Sequence, residues 1–295
     1  MEVRAKKALG QHWLVDQGVA RRIVASLLEG PGRPEEEGET GKKSGAGEDS
    51  GAGLENGTEQ KTGVLEIGPG MGVLTQYLLQ RPDIDLRMVE VDDESVRYLL
   101  THYNGLQGRL YEADFLKLDL HRVFPGSYCV IGNFPYNISS QIFFRILDER
   151  ERVPEVVCMI QKEVAERIAC GPGSKVYGIL SVLLQAWYGI EYLFTVEPGA
   201  FAPPPKVRSA VIRLRRNSRT ELSDGETGAK VDDDFFRKVV KTAFGQRRKT
   251  LRNTLRPLLP EGFDLADPIL GKRAEQLSVE DFIALAASMM GSPAQ

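Results

Sequence analysis

Long apolar runs, histidines and cysteines are all scarce in this chain. No stretch approaches the roughly 20 apolar residues that a membrane span needs, and basic residues 1–10 are not followed by an apolar run of signal-peptide length. Membrane insertion and export are therefore not expected. The three cysteines are an odd number, and Cys129 and Cys158 sit in apolar, strand-like runs where a thiol behaves as a small core residue. That points away from a disulfide framework and toward a reduced, cytoplasmic setting. His12, His102 and His121 are scattered without metal-ligand spacing, so no structural metal is expected. An excess of positive charge is missing as well: the formal net charge is −3, which taken alone argues against a nucleic-acid partner.

The distribution of charge reverses that reading. Residues 29–62 hold nine acidic and four basic residues, so the rest of the chain is net positive. The stretch 235–257 carries Arg237, Lys238, Lys241, Arg247, Arg248, Lys249, Arg252 and Arg256 with no acid at all. Such a basic element is the electrostatic footprint of a nucleic-acid partner. With 295 residues, of which 42% are hydrophobic and 27% charged, the chain can bury one large core and a smaller one.

Residues 29–62 are rich in Gly and Glu and offer only Leu54 as a large apolar side chain, too little burial to offset ordering entropy. They read as a disordered insertion. A second polar stretch, 217–230, reads as a linker. Between the two, β-rich runs at 64–67, 86–91, 109–112, 128–132, 156–160, 192–196 and 210–214 alternate with helical patterns, which implies a mostly parallel, doubly wound α/β sheet. The last two runs are separated by a Pro-rich segment rather than a helix and should form an antiparallel pair. Beyond residue 231 the pattern is helical: 235–244, a basic 247–259, and 279–290 opened by Ser278 as N-cap. The expected organisation is a large domain at 1–216, a linker at 217–231 and a small helical domain at 232–295.

Gly68, Gly70 and Gly72 form a glycine-rich turn directly after an apolar strand, where backbone can approach a ligand at the carboxyl edge of the sheet. A dinucleotide or a plain tight turn would explain a glycine triplet alone equally well. The spacing is G-x-G-x-G, however. Glu90 also ends the next strand, where a carboxylate can bind ribose hydroxyls, and Asp114 follows the third, where it could accept from an adenine amine. Three such features at three successive strand ends favour a nucleoside ligand.

The fourth strand leads into Gly132-Asn133-Phe134-Pro135-Tyr136 at the same edge. A turn with a core aromatic is one reading. The other is similarity to the Asn-x-Pro-Tyr/Phe element of enzymes that methylate exocyclic amines. The N6 lone pair of adenine is delocalised into its ring, so the amine is a poor nucleophile until its hydrogens are held in a geometry that favours rehybridisation. The Asn133 side-chain oxygen and the Phe134 carbonyl could accept those hydrogens, Tyr136 could stack on the base, and Pro135 stiffens the turn.

Several motifs taken together resemble one family: Leu9-Gly10-Gln11-His12-Trp13-Leu14, the loop from Glu66 to Gly72, Asn133-Phe134-Pro135-Tyr136-Asn137-Ile138, Gln161-Lys162-Glu163-Val164-Ala165-Glu166-Arg167, Phe201-Ala202-Pro203-Pro204-Pro205-Lys206-Val207 and Phe244-Gly245-Gln246-Arg247-Arg248-Lys249-Thr250-Leu251. The chain resembles the KsgA family of rRNA adenine dimethyltransferases over essentially its whole length except the acidic insertion. The resemblance implies a Rossmann-like, seven-stranded methyltransferase domain with a small C-terminal helical domain, and S-adenosylmethionine as cofactor. By the same resemblance, His12, Leu14, Gly68, Glu90, Asp114 and Asn133 take cofactor-binding positions, Asn133, Phe134, Pro135 and Tyr136 bind the target amine, and Phe201 is a second aromatic wall for the flipped base. Arg247, Arg248, Lys249 and Arg252 would hold RNA phosphates. The implied substrate is a pair of adjacent adenosines near the 3′ end of small-subunit rRNA in an assembling 30S particle, and the enzyme is expected to act as a monomer. His12 and Trp13 stand where the family often has Asn and Phe, and Phe134 where Leu is usual. A 23S-type adenine dimethyltransferase would share the cofactor and amine motifs, and an RNA-binding assembly factor without catalysis is a reading from another class. The 201–207 run and the basic carboxyl-terminal segment favour the small-subunit enzyme over the first, and the intact Gly68, Glu90, Asp114 and Asn133 favour catalysis over the second.

Overall fold

A computed structural model describes residues 12–27 and 61–291. In chain order its elements are β1 (Trp13–Leu14), α1 (Gln17–Ala25), β2 (Thr62–Ile67), α2 (Thr75–Leu78), β3 (Ile84–Glu90), α3 (Asp93–His102), β4 (Leu110–Glu112), α4 (Leu120–Val123), β5 (Tyr128–Asn133), α5 (Ser139–Asp148), β6 (Glu155–Gln161), α6 (Lys162–Ala169), α7 (Ile179–Gln185), β7 (Tyr188–Val196), β8 (Phe201–Ala202), β9 (Ser209–Arg216), β10 (Leu222–Ser223), β11 (Lys230–Val231), α8 (Asp233–Phe244), α9 (Leu251–Thr254) and α10 (Val279–Gly291). The insertion read at 29–62 lies outside the described residues except for its last two positions, and Thr62 already belongs to β2.

The main sheet has seven strands in the order β4-β3-β2-β5-β6-β9-β7. Its first five strands are parallel, while β9 pairs antiparallel with both β6 and β7. All seven expected runs are strands of this sheet, and the connection at 197–208, which holds a 3-10 turn at Pro198–Ala200 and β8 but no α-helix, yields the expected antiparallel neighbours. Alternation decides the two faces. Leu65, Ile67, Val130, Val156 and Cys158 point into one core with α5–α8 and α10, whereas Val64, Met88, Cys129, Val157 and Met159 point into the other with α1–α3. A sheet covered on both faces needs strands that are apolar at nearly every position, which is why β5 and β6 read as continuous hydrophobic runs.

The carboxyl-terminal region differs from its sequence pattern in two places. Within 217–231, β10 and β11 form a short antiparallel hairpin, and Leu222 and Val231 are buried in the same core as the sheet face beneath them. The helix expected at 247–259 is broken. Gly245 ends α8, residues 245–249 are turns, α9 is a single turn, and Arg256–Leu258 is a 3-10 segment. Pro257 lacks an N–H and disfavours helical backbone at the residue before it, so no continuous helix can pass through it. At α10 the expected cap is present and reciprocal: Asp281 N donates to Ser278 Oγ at 3.0 Å, and Ser278 N donates to the Asp281 carboxylate at 2.8 Å. No helix among the described residues is long and apolar enough to cross a membrane.

Candidate active site

The carboxyl ends of β2, β3, β4 and β5 open on one side of the sheet, where an α/β fold binds its ligands. A cleft of about 240 Å³ lies there, several times the volume of a water molecule and so sized for a small organic ligand. The glycine turn forms its floor. Gly68, Gly70 and Gly72 all have positive φ, from 57° to 82°, and a Cβ on Gly72 would stand 2.5 Å from the Tyr103 ring, so only glycine fits there.

Glu90 is built into the floor. One carboxylate oxygen accepts from Gly70 N at 3.0 Å, and the other accepts from Val91 N at 2.8 Å and Asp92 N at 2.9 Å. Burial raises its pKa, and these three backbone donors oppose the rise by favouring the charged form. Behind it, Glu66 is 1% exposed and accepts from Thr75 Oγ1 at 2.7 Å. Burial pushes its pKa up to about 8, so it is largely protonated at neutral pH. Asp114 Oδ1 accepts from Leu116 N at 3.0 Å, which closes the turn after β4. Glu90 and Asp114 line the cleft, and among the described residues no lysine or arginine does.

On the other side β5 delivers the Asn133–Tyr136 turn. Asn133 Nδ2 donates to the His12 carbonyl at 3.1 Å, which fixes the amide plane and leaves Oδ1 unused by any described residue. Phe134 turns its ring into the core, 5.9 Å from Phe143 and edge-on to it, while its N–H donates to Met159 O at 3.0 Å. The backbone of the turn is thus pinned, and the Phe134 carbonyl is held with it. Gly132, two residues before Phe134, permits the close passage: a Cβ there would meet Ile67 O at 2.5 Å. The Tyr136 hydroxyl shares a 2.5 Å hydrogen bond with Ser209 Oγ at the start of β9, and its ring stacks on His12 with centroids 5.6 Å apart. His12 Nδ1 lies 3.1 Å from Pro203 O, and because a carbonyl only accepts, Nδ1 carries a proton.

Among the residues singled out by sequence, His12, Gly68, Glu90, Asp114, Asn133, Phe134, Pro135 and Tyr136 meet on this one cleft. Leu14 and Phe201 do not line it. They face each other in the β1–β8 ladder and are 3% and 4% exposed, within the second core. Arg247, Arg248 and Lys249 lie on the exposed turn after α8, and Arg252 is exposed on α9, none of them on the cleft wall. Sequence reading passed over Trp13, Val91 and Leu116, which also line the cleft. Val91 directly follows Glu90, and its 55% exposure is the signal of an apolar group kept free for a ligand. Ser209 gave no signal, because its partner Tyr136 is 73 positions away.

A family model for ribosomal RNA adenine dimethylase matches residues 2–289. The chain belongs to the ribosomal RNA adenine dimethylase family. Membership makes it an S-adenosylmethionine-dependent methyltransferase, with the cleft at the position such an enzyme requires. Its similarity to "Ribosomal RNA small subunit methyltransferase A" of Porphyromonas gingivalis is 54% identity over 288 residues, covering 97% of each chain. A solved dimethyladenosine transferase from Plasmodium falciparum superposes with a TM-score of 0.64 at 24% identity, over 93% of this chain and 96% of that one. The 23S rRNA methyltransferase ErmE gives a TM-score of 0.56 at 23% identity, over 78% of this chain and 91% of its own. Both structures share the fold.

Proposed function

We propose that this dimethylase transfers methyl groups from S-adenosylmethionine to the N6 amines of two adjacent adenosines near the 3′ end of small-subunit rRNA, giving N6,N6-dimethyladenosine. It acts as a cytoplasmic monomer on assembling small subunits. Residues 1–216 form the catalytic domain, and 232–295 form a helical RNA-binding domain joined to it by the 217–231 hairpin segment.

The observation that carries the amine-methylation reading is the Asn133 side chain. Its nitrogen is committed to the His12 carbonyl, so its oxygen is the end left to accept from an amine. Beside it, the Phe134 carbonyl takes the second amine hydrogen and the Tyr136 ring supports the base. Glu90 and Asp114 hold the adenosine part of the cofactor, while His12 and the Gly68–Gly72 turn hold its amino-acid part. The carboxylates of Glu90 and Asp114 on the wall suit a cofactor that is itself cationic. When bound, that cofactor supplies an electrophilic methyl group. Asn133 and Phe134 localise the lone pair on N6 by holding its hydrogens out of the ring plane, which is preorganisation rather than general-base catalysis.

Single-turnover methylation at saturating RNA and cofactor tests the assignment. Asn133→Ala should slow transfer by about 10²-fold or more, as for loss of one preorganised polar contact, with RNA affinity almost unchanged. Transfer at the wild-type rate would remove this turn from the mechanism.

A further inference from the structure

The segment between Phe201 and β9 has no role in the mechanism above, yet it is fastened to the cleft at both ends. At one end Pro203 O meets His12 Nδ1 at 3.1 Å, and at the other Ser209 Oγ meets the Tyr136 hydroxyl at 2.5 Å. His12 and Tyr136 both line the cleft, so residues 203–208 form its rim on the acceptor side. Topology requires this. β9 runs antiparallel to β6, which brings its first residue, Ser209, opposite Gln161 at the same sheet edge where the parallel strands end. The Arg208 carbonyl also accepts from Lys162 N at 2.9 Å, which fixes the rim against the start of α6.

Along that edge the charge changes sign. Asp114 and Glu90 stand at the β4 and β3 ends, and Lys206 and Arg208 stand on the rim beyond Tyr136. Lys206 is exposed and makes no ion pair with any described residue. Arg208 is half-exposed and lies 3.9 Å from Glu197, whose own side chain is 69% exposed, a contact weak enough to be exchanged for a stronger anion. Lys162 is held by Glu166 at 2.9 Å and is not part of this set. Between the two cations Val207 is 43% exposed, an apolar surface for a sugar or base. A base drawn out of its stack into the cleft must bring its own and neighbouring phosphates across this rim.

We propose that Lys206 and Arg208 on the 203–208 rim bind the phosphates flanking the adenosine inserted in the cleft, a contact distinct from the basic segment after α8. This rests on the RNA reading above. Its work is local: it positions the target nucleotide, while Arg247, Arg248, Lys249 and Arg252 hold RNA at a distance from the reaction.

The test is steady-state methylation of unmethylated small ribosomal subunits by the full chain, over a range of salt concentrations. Lys206→Ala combined with Arg208→Ala should raise KM for the subunits about 10-fold while kcat falls no more than about twofold. The plot of log kcat/KM against log salt should flatten by about 1 to 2 units, the share of two phosphate contacts. Cofactor affinity measured by calorimetry should not change. The charge-keeping pair Lys206→Arg and Arg208→Lys should restore KM and slope, which a merely structural role for the rim would not predict. An unchanged KM and slope in the double Ala variant, or failure of the charge-keeping pair to rescue, overturns the proposal. If the wild-type chain does not methylate the subunits, the substrate reading fails instead. The rim is then judged by the same salt slope in direct binding of the rRNA.

Discussion

Glu66→Gln should change the pH dependence of stability in a direction opposite to that of an ordinary surface carboxylate. Glu66 lies on β2 beneath the glycine turn, 1% exposed, with Thr75 Oγ1 donating to it at 2.7 Å. Desolvation raises its pKa from 4.5 to about 8, and the neighbouring charge of Glu90 adds to the rise. Between those two values the native state keeps a proton that the unfolded chain has released. The unfolded state therefore binds fewer protons, and stability falls as pH rises, by about 1.4 kcal/mol per pH unit. The accumulated cost is about 3 kcal/mol at neutral pH and reaches its limit, roughly 5 kcal/mol, once pH passes the native value. Glutamine keeps an oxygen for Thr75 and has no proton to lose, so the variant should gain on the wild type by that slope across the same window. Glu90, whose pKa is also raised, is present in both proteins and cancels in the difference. Urea unfolding of both proteins at about pH 5.5, 6.5 and 7.5 gives the slope directly. Parallel profiles would mean that Glu66 ionises in the native state near its ordinary value, and the argument from burial would be refuted.

Replacing Arg247, Arg248, Lys249 and Arg252 together with Ala should weaken RNA binding and flatten its salt slope by about 3 to 4 units, without affecting cofactor affinity. Filter binding across a salt series checks this, and an unchanged slope removes that surface. Tyr136→Phe keeps the ring and loses only the Ser209 hydrogen bond, so it should cost about 1 kcal/mol of stability and little activity. Tyr136→Ala should raise KM for RNA and lower kcat as well. Equal losses in the two variants would show that the hydroxyl, not stacking on the base, is what matters.

How much of this was readable from sequence depended on the range of the interaction concerned. The seven strands and the antiparallel pair β7–β9 were legible because burial on both faces writes itself into each strand as a local apolar run. That the motifs at the ends of β2, β3 and β5 share one sheet edge and one cleft was legible because each sits next to its own strand. What the sequence did not show depended on contacts distant along the chain. Leu14 and Phe201 occupy positions that the family resemblance associates with cofactor and base, and their buried pairing in a two-stranded ladder joins segments far apart in sequence. The 217–231 stretch is polar enough to read as a linker. Leu222 and Val231, nine residues apart and paired in a hairpin, bury it in the core, and Asn217 donates to the Ala186 and Trp187 carbonyls while Arg219 pairs with Glu280 at 3.1 Å. Glu66 was quoted as part of a motif, but its protonation follows from what buries it, and that is not visible in the motif.

The net charge of −3 is the quantity in this chain most apt to mislead. An enzyme that joins a cationic cofactor to a polyanion needs opposite fields a short way apart, and a sum over the chain cannot report that. The strand order supplies the separation. Glu90 and Asn133 end β3 and β5, Asp114 and the glycine turn follow β4 and β2, and the Lys206–Arg208 segment precedes β9, so one sheet edge passes from acid to base with the Asn133–Tyr136 turn between them. The partly buried carboxylates at one end are shielded from salt, and the exposed cations at the other are screened within a Debye length of about 8 Å. Cofactor binding should thus be nearly indifferent to ionic strength and RNA binding steeply dependent on it. The position of Asn133 between the two fields is set by the pairing of β5 with β2: the chain crosses back from β4 at the sheet edge to β5 on the far side of β2, and there the strand order reverses and a doubly wound sheet opens a crevice for its ligand.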